Sequence, residues 1–279
     1  MSRSSSVRAM ALDTLDTGVH AWLQEPSAAG RPNAGVVVDE DGITVIDTLL
    51  VPDQWQPFGD AVDAIGLPIR RVVLTSSHIE FAGGTSRFKL AAVYGRQQAS
   101  VQLDQPPNLD AYRALFPDHA AGFEELTTRP VSHIVAEDVQ LTPAVTLRTT
   151  RGEQDENLVA VVPGASVVFA GAMCSFGVTP LCFQGDPARW ADELDRIVDL
   201  APIIVPGHGS IGGEEELRDQ QSYLRAVVAA DGDPAAIGSG PWDDWSDRHH
   251  DEVNVERAAM LARGDDGIPP SMLRRAGLA

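Results

Sequence analysis

Short aliphatic runs alternate with segments of helical period in the first half of the chain. Residues 19–48 predict strands, with turns at residues 26–32 and 39–42. Residues 53–65 place apolar side chains near helical spacing, so we predict a helix there. The run Val72-Val73-Leu74 follows, and it predicts a strand that is buried on both faces.

The second half repeats this alternation and ends in helices. Residues 131–171 contain further predicted strands, separated by turn residues. Residues 186–200 and 214–230 predict helices, and the strand of residues 203–209 lies between them. A short helix near residues 252–262 and a tail packed on the body complete the predicted chain.

Polar residues that could act in catalysis or metal binding lie directly after the central strand. Ser76, Ser77, His78 and Glu80 fall within five residues of one another, and a Gly-Gly pair follows. In open α/β sheets, functional groups collect at the carboxyl ends of strands. We therefore expect a functional site at this end of the sheet.

The ten residues from Thr75 onward, Thr-Ser-Ser-His-Ile-Glu-Phe-Ala-Gly-Gly, resemble a motif of the metallo-β-lactamase superfamily. That family has Thr-His-x-His-x-Asp-His at this place, followed by a small residue and Gly-Gly. His78 is retained, and Glu80 replaces the aspartate. Ser76 and Phe81 stand where the family has histidine ligands.

Other parts of the chain support the same resemblance, which extends over roughly residues 19–223. Asp47 ends a predicted strand where the superfamily has an acidic residue. Glu153 stands in the place of a histidine ligand, and Ala172 in the place of the metal-bridging aspartate. His208, within Pro-Gly-His-Gly, keeps the last ligand of the family.

The resemblance implies an α/β fold, a four-layer α/β/β/α sandwich in which two sheets pack face to face between helices. We expect a single domain over residues 1–279, with residues 231–279 as a C-terminal extension packed on the body.

The resemblance also implies a zinc hydrolase, but this chain departs from it. Two zinc ions would activate a bridging hydroxide. Phe81 and Ala172 offer no donor atom, and Ser76 is a poor zinc ligand. We expect no dinuclear zinc site and no cofactor. The alternative is a single zinc, iron or manganese ion, with the ligands His78, Glu80, Glu153 and His208.

Without zinc, water must be activated by a side chain. His78 and Glu80 are the predicted catalytic bases, because each retains a proton-accepting atom. Ser77 is a third catalytic candidate, as an activated hydroxyl beside His78. The remaining predicted pocket residues are Ser76, Phe81, Glu153, Ala172 and His208.

Each of these residues also has a structural interpretation. His78 would be a hydrogen-bonded histidine in a pocket that has lost its metal, and Glu80 would pair with an arginine such as Arg151. Glu153 would be solvated, and His208 would hold its loop in place.

Three features outside the motif have two interpretations each. The cluster of Trp242, Trp245, His249 and His250 either packs against the body or contacts a substrate. Cys174 either lines the pocket or is an inert buried thiol. The polar residues 97–107 would form a lid or a pocket wall.

Composition and charge narrow the range of partners. The chain has 279 residues, of which 43% are hydrophobic, enough to bury a large core. A net charge of −19 argues against nucleic acid and anionic membranes as partners. The N-terminus lacks the apolar core of a signal peptide and no stretch predicts a membrane span, so we expect a cytoplasmic protein. Two cysteines are too few for a disulfide framework.

Two classes of function compete, and both take a small molecule as partner. The first is a hydrolase-like enzyme acting on a small ester, lactone or thioester, with one metal ion or none. The second is a non-catalytic descendant that binds a ligand. A metal-free lyase or cyclase using the same histidine and glutamate is a third alternative. The sequence leaves the oligomeric state open.

The missing ligands predict the metal content. Because Ser76, Phe81 and Ala172 remove ligands from both halves of a dinuclear site, we expect at most one metal equivalent per chain. Elemental analysis of protein purified without added zinc checks this. Two equivalents retained after dialysis would contradict it.

Overall fold

The computed structural model describes residues 11–124 and 126–279. Within them, the strands are β1 (Leu12–Asp16), β2 (Val19–Trp22), β3 (Ala34–Asp39), β4 (Gly42–Ile46), β5 (Ile69–Val73), β6 (Ala92–Gly95), β7 (His133–Ile134), β8 (Val139–Gln140), β9 (Thr146–Thr150), β10 (Asn157–Val162), β11 (Val167–Phe176) and β12 (Ile203–Gly209). The α-helices are α1 (Pro52–Asp63), α2 (Ile79–Ala82), α3 (Gln97–Leu103), α4 (Leu109–Leu115), α5 (Pro187–Val198), α6 (Glu214–Ala229), α7 (His250–Ala262) and α8 (Pro270–Arg275).

The strands form two mixed sheets. The first has the order β1-β2-β3-β4-β5-β6-β7; its strands are antiparallel from β1 to β4 and parallel from β4 to β7. The second has the order β12-β11-β10-β9-β8, in which only β11 and β12 are parallel. Strands β5 and β12 therefore lie in different sheets. Strand β5 directly precedes the predicted site residues His78 and Glu80, and β12 contains His208.

Three apolar clusters separate the layers. Val37 and Val73 of the first sheet pack with Leu158 and Phe169 of the second, and they form the core between the sheets. Helix α1 packs its buried Phe58 against the outer face of the first sheet. Helices α5, α6 and α7 cover the outer face of the second. The predicted four-layer α/β/β/α sandwich is confirmed.

Local sequence explains where the covering helices begin. Helix α5 starts at Pro187, whose fixed φ suits the first helical turn, and the carboxylate of Asp186 accepts hydrogen bonds from two backbone N–H groups. Helix α6 opens with three glutamates, whose charges favour a helix N-terminus.

The structure adds a helix to the predicted C-terminal region. The tail after Pro269, for which only packing on the body was predicted, forms helix α8. Residues 97–107, predicted as a lid or a pocket wall, contain helix α3, and Gln102 of this helix lines a cavity. Strands β1 and β8 were not predicted, because each is short and lacks an aliphatic run.

The N-terminus bears on the expected location. The predicted absence of a signal peptide concerns mainly residues 1–10, which lie outside the described residues. None of the helices in the described part of the chain is long and apolar enough to cross a membrane.

Phe58 provides a test of the packing on the outer face of the first sheet. Its ring is fully buried between Trp22 and Phe88, at centroid distances of 5.5 and 6.0 Å. We expect Phe58→Ala to lower the free energy of unfolding by roughly 3–5 kcal/mol, because it opens a cavity. Urea denaturation measures this. The control Leu90→Ala, at a side chain that is 97% exposed, should change it by less than about 0.5 kcal/mol.

Candidate active site

The loop after β5 is held in place by Asp47. This carboxylate lies just beyond β4 and accepts hydrogen bonds from Thr75 N (2.8 Å) and Thr75 Oγ1 (2.7 Å). Thr75 Oγ1 in turn accepts a hydrogen bond from Ala172 N at 3.2 Å, which connects the loop to β11. Burial raises the pKa of Asp47 to about 7, although the hydrogen bonds from Thr75 act in the opposite direction.

The Gly-Gly pair allows the motif to lie against the segment that follows β4. A Cβ atom on Gly83 would lie 2.1 Å from Leu50 O, and one on Gly84 would lie 2.2 Å from Thr48 O. Any side chain would collide with the backbone, so this close approach requires glycine. The pair thereby fixes helix α2, which carries Glu80.

His78 and Glu153 form the first buried pair of the site. His78 Nδ1 contacts Glu153 Oε1, and His78 Nε2 lies 2.9 Å from Gln184 Oε1. Phe183 stacks on the imidazole at a centroid distance of 4.8 Å. Burial lowers the pKa of His78, but the negative charge and hydrogen bond of Glu153 outweigh it, so the pKa lies above the usual value.

Glu153 is buried, so its interpretation as a solvated carboxylate is wrong. It is only 5% exposed. Its second oxygen, Oε2, accepts hydrogen bonds from Ser76 Oγ and Asn157 Nδ2, each at 3.0 Å. The turn between β9 and β10 therefore brings a fully hydrogen-bonded carboxylate to the loop after β5.

Ser77 belongs to a network of amides. Its hydroxyl lies 2.7 Å from both Gln102 Oε1 and Gln154 Nε2. Gln154 Nε2 also donates to Gln184 Oε1 at 2.7 Å. The activated Ser77–His78 pair is not formed, because the imidazole bonds to Glu153 and Gln184 and the hydroxyl bonds to glutamines.

Glu80 and His208 form the second pair, in which both side chains are partly buried. Glu80 Oε1 lies 3.0 Å from His208 Nε2 and accepts a hydrogen bond from Gly30 N at 2.6 Å. Burial raises the pKa of Glu80, but the charge of His208 and these hydrogen bonds outweigh it, so the pKa lies below the usual value. The predicted pairing with Arg151 is wrong, since Arg151 is exposed and His208 takes its place.

One cavity of about 750 Å³ brings the predicted residues together. His78, Glu80, Glu153 and His208 all line it, as do Phe81 and Ala172. Ser76 and Ser77 are buried at 2% exposure and act through hydrogen bonds within the wall. The cavity is large enough for a small organic molecule.

The C-terminal segment forms another part of the cavity wall. The predicted aromatic and imidazole cluster divides: Trp242 and Trp245 pack on Tyr223, whereas His249 and His250 line the cavity. Cys174 is a buried thiol within the core beneath the second sheet, and burial raises its pKa. The inert interpretation of this cysteine fits its position.

The donor atoms of the motif do not fit a dinuclear zinc centre. Phe81 presents its ring edge-on to His208 at 5.7 Å, and Ala172 offers only a methyl group. His78 Nδ1 and His208 Nε2 each face a carboxylate of the protein. The site is therefore a set of paired acids and bases.

A second group of potential metal ligands lies on the C-terminal side of the cavity. Ligand atoms of Asp247, His249 and His250 lie within 4.8 Å of one another, and the described residues contain no other group of three potential metal ligands this close together. His250 Nδ1 contacts Thr179 O at 2.8 Å, and burial lowers its pKa to about 4. Sequence reasoning identified both histidines but not Asp247, since a lone aspartate in an acidic chain carries no signal.

Sequence reasoning also missed the amides that support the motif. Gln154 and Gln184 bridge Ser77 and His78. Gln154 directly follows Glu153, so its place beside a predicted ligand position was a usable signal. Gln184 is distant in sequence, and only the fold brings it to the imidazole.

Comparison with solved structures identifies proteins of the same architecture. VMB-1 is 17% identical, with a TM-score of 0.61 over 79% of this chain and 99% of its own. The metallo-β-lactamase FIM-1 from Pseudomonas aeruginosa, in its mono-zinc form, is 18% identical, with a TM-score of 0.59 over 77% and 95%. A metallo-β-lactamase from Pontibacter korlensis is 16% identical, with a TM-score of 0.60 over 77% and 99%. No protein-family model matches the sequence.

Asp47 predicts a specific dependence of stability on pH. Its folded-state pKa of about 7 lies above the ordinary aspartate value of 3.8, so the contribution of Asp47 to folding stability is complete below pH 3.8 and is lost as pH rises through 7. Between pH 5 and 8, wild type should lose roughly 2–3 kcal/mol of unfolding free energy relative to Asp47→Asn.

Urea denaturation of both proteins at the two pH values measures the effect. Asp192→Asn, on the exposed face of α5, removes the same charge without this burial and is the matched control. An equal difference between wild type and Asp47→Asn at pH 5 and pH 8 would contradict the raised pKa.

Proposed function

Because this chain has the metallo-β-lactamase fold, we propose that it is a hydrolase-like protein acting on a small ester, lactone or thioester without a dinuclear zinc site. The observation that supports the proposal is the presence of two largely buried carboxylate–histidine pairs in the wall of one cavity. Sites with perturbed acids and bases in a cavity are typical of catalysis.

The two pairs suit opposite roles in proton transfer. Glu80 has a lowered pKa and is ionised at neutral pH, whereas His78 has a raised pKa and favours its protonated form. A division of this kind between neighbouring groups provides a base and an acid at one pH. We assign Glu80 as the base and His78 as the acid.

The reaction then needs only side chains and water. The contacts of Glu80 with His208 and Gly30 engage Oε1, so Oε2 is the oxygen that can accept a proton from water. The water oxygen bonds to the substrate carbonyl carbon. His78 donates a proton to the departing oxygen or sulfur as the bond between that atom and the carbonyl carbon breaks. Water is thereby added across the broken bond. Gln184 must release Nε2 of His78 for this step.

A single metal ion remains the alternative cofactor. A zinc, iron or manganese ion held by His78, Glu80, Glu153 and His208 would first have to separate both pairs, because each pair contacts directly. No step of the reaction above passes through an ion.

A second candidate function is binding without catalysis. Both ring nitrogens of His78 have partners in the protein, and the hydroxyl of Ser77 is equally satisfied. Such a saturated network rigidifies a pocket and is also typical of a structural role. Turnover distinguishes the two functions.

The expected partner is a small molecule, in a cytoplasmic protein. The cavity volume of about 750 Å³ suits such a ligand. The net charge of −19 supports the exclusion of nucleic acid and anionic membranes, since both repel an acidic surface.

Substitution of the two pairs tests the proposal. We expect Glu80→Gln and His78→Ala each to lower kcat/KM for a small ester by roughly 10²–10⁴-fold, because each removes a group that transfers a proton. Hydrolysis of 4-nitrophenyl acetate, together with a panel of lactones and thioesters, is measured with and without a chelator.

The exposed Glu137→Gln is the matched control and should keep full activity. Far-UV circular dichroism verifies that the variants are folded. Unchanged hydrolysis rates in both variants would contradict the assignment of Glu80 as base and His78 as acid and would favour the binding function. Activity lost to the chelator alone would instead support the single-metal alternative.

A further inference from the structure

The C-terminal helix α8 places at the cavity an arginine for which the described residues provide no ion pair or hydrogen bond. Arg275 lines the same cavity as His78 and Glu80. Its Nη1 is buried and has no hydrogen-bond partner among the described residues. Leaving a buried N–H group of a guanidinium without a hydrogen-bond acceptor costs free energy, so we expect this group to have a function.

Two other arginines of the C-terminal region, Arg257 and Arg274, have partners within the protein. Arg257 donates to the carbonyls of Gln184 and Gly185 and pairs with Asp266. Arg274, the neighbour of Arg275 on α8, pairs with Glu252 at 3.0 Å.

The two carboxylates whose charges act on Arg275 have other partners. Asp247 and Glu252 attract its charge, but neither forms an ion pair with it in the described structure. Asp247 Oδ2 accepts a hydrogen bond from Ala29 N at 2.8 Å, and Glu252 pairs with Arg274. The guanidinium therefore remains available to an anion that enters the cavity.

We propose that Arg275 binds a carboxylate of the ligand, so that the substrate of this site is a small carboxylate-bearing ester, lactone or thioester. The planar guanidinium matches a carboxylate in two parallel hydrogen bonds. Nη1 is buried in the structure, so the long side chain must rotate for this atom to reach the ligand. The carboxylate would be held on the C-terminal side of the cavity, while the reacting carbonyl meets Glu80 and His78.

The same charge argues against a metal ion at Asp247, His249 and His250. The positive charge of Arg275 lowers the pKa of both histidines, in addition to the larger effect of burial. A group that repels a proton from these imidazoles also repels a divalent cation. The electrostatics on this side of the cavity thus favour an anion.

The reacting end of this substrate rests on the proposed function, but carboxylate binding can be tested independently. Isothermal titration calorimetry measures binding of succinate, glutarate and adipate, with glutaramide as the neutral analogue of glutarate. We expect at least one dicarboxylate to bind wild type and Arg274→Gln, and glutaramide not to bind. Arg275→Gln should weaken dicarboxylate binding by roughly 10- to 100-fold.

Arg275→Lys keeps the charge without the planar fork and should bind with intermediate affinity. Thermal unfolding verifies that each variant is folded. Absence of saturable binding for all three dicarboxylates in wild type would overturn the proposal. Equal affinities in Arg274→Gln and Arg275→Gln would also overturn it, because binding would then be independent of this guanidinium.

Kinetics separate this proposal from the proposed function. The ratio of kcat/KM for 4-nitrophenyl hydrogen glutarate to that for 4-nitrophenyl pentanoate should favour the carboxylate ester in wild type. Arg275→Gln should lose that preference, mainly through KM. Hydrolysis without any preference overturns the carboxylate site and leaves the proposed function intact. Binding that depends on Arg275, without hydrolysis, supports the carboxylate site and contradicts the proposed function.

Discussion

Pairing of largely buried acids and bases joins the two sheets at the candidate site. His78 and Glu80 follow β5 of the first sheet, whereas Glu153 and His208 belong to the second. Each histidine meets a carboxylate across the interface. A buried carboxylate that loses its partner costs several kcal/mol, so the two loops and β12 must keep their relative positions. Where the family resemblance implies zinc, protein carboxylates are the partners of these histidines.

The environment, and not the residue type, decides what each charged group can do. Glu80 and Glu153 both lie beside histidines in the cavity wall. Glu80 also accepts a hydrogen bond from a backbone N–H group, whereas Glu153 accepts hydrogen bonds from the side chains of Ser76 and Asn157. The pKa of Glu80 is lowered and that of His78 is raised. An acid and a base can therefore coexist at neutral pH without a metal ion.

The cavity combines groups from two sources. The loops of the sandwich provide the paired acids and bases, and the segment after α6 provides an opposite wall with Asp247, His250 and Arg275. Helix α7 is attached to the body through buried polar contacts, such as that between Asn254 and Cys182 N at 2.8 Å. The C-terminal segment and the loops of the sandwich thus line the same cavity.

The sequence by itself determined the order of the elements and the frame of the site. Local patterns predicted α1, β5, α5 and β12, because aliphatic periodicity, proline and helix caps act over a few residues. Position in the motif also identified His78, Glu80, Glu153 and His208. Only the tertiary structure decided which partner each residue has: Glu80 bonds to His208 and not to Arg151, and Ser77 bonds to glutamines and not to His78. Those partners lie far apart in the chain, and no local pattern specifies them. Helix α8 likewise reaches the cavity only through packing, so the unsatisfied Arg275 was not readable from the sequence.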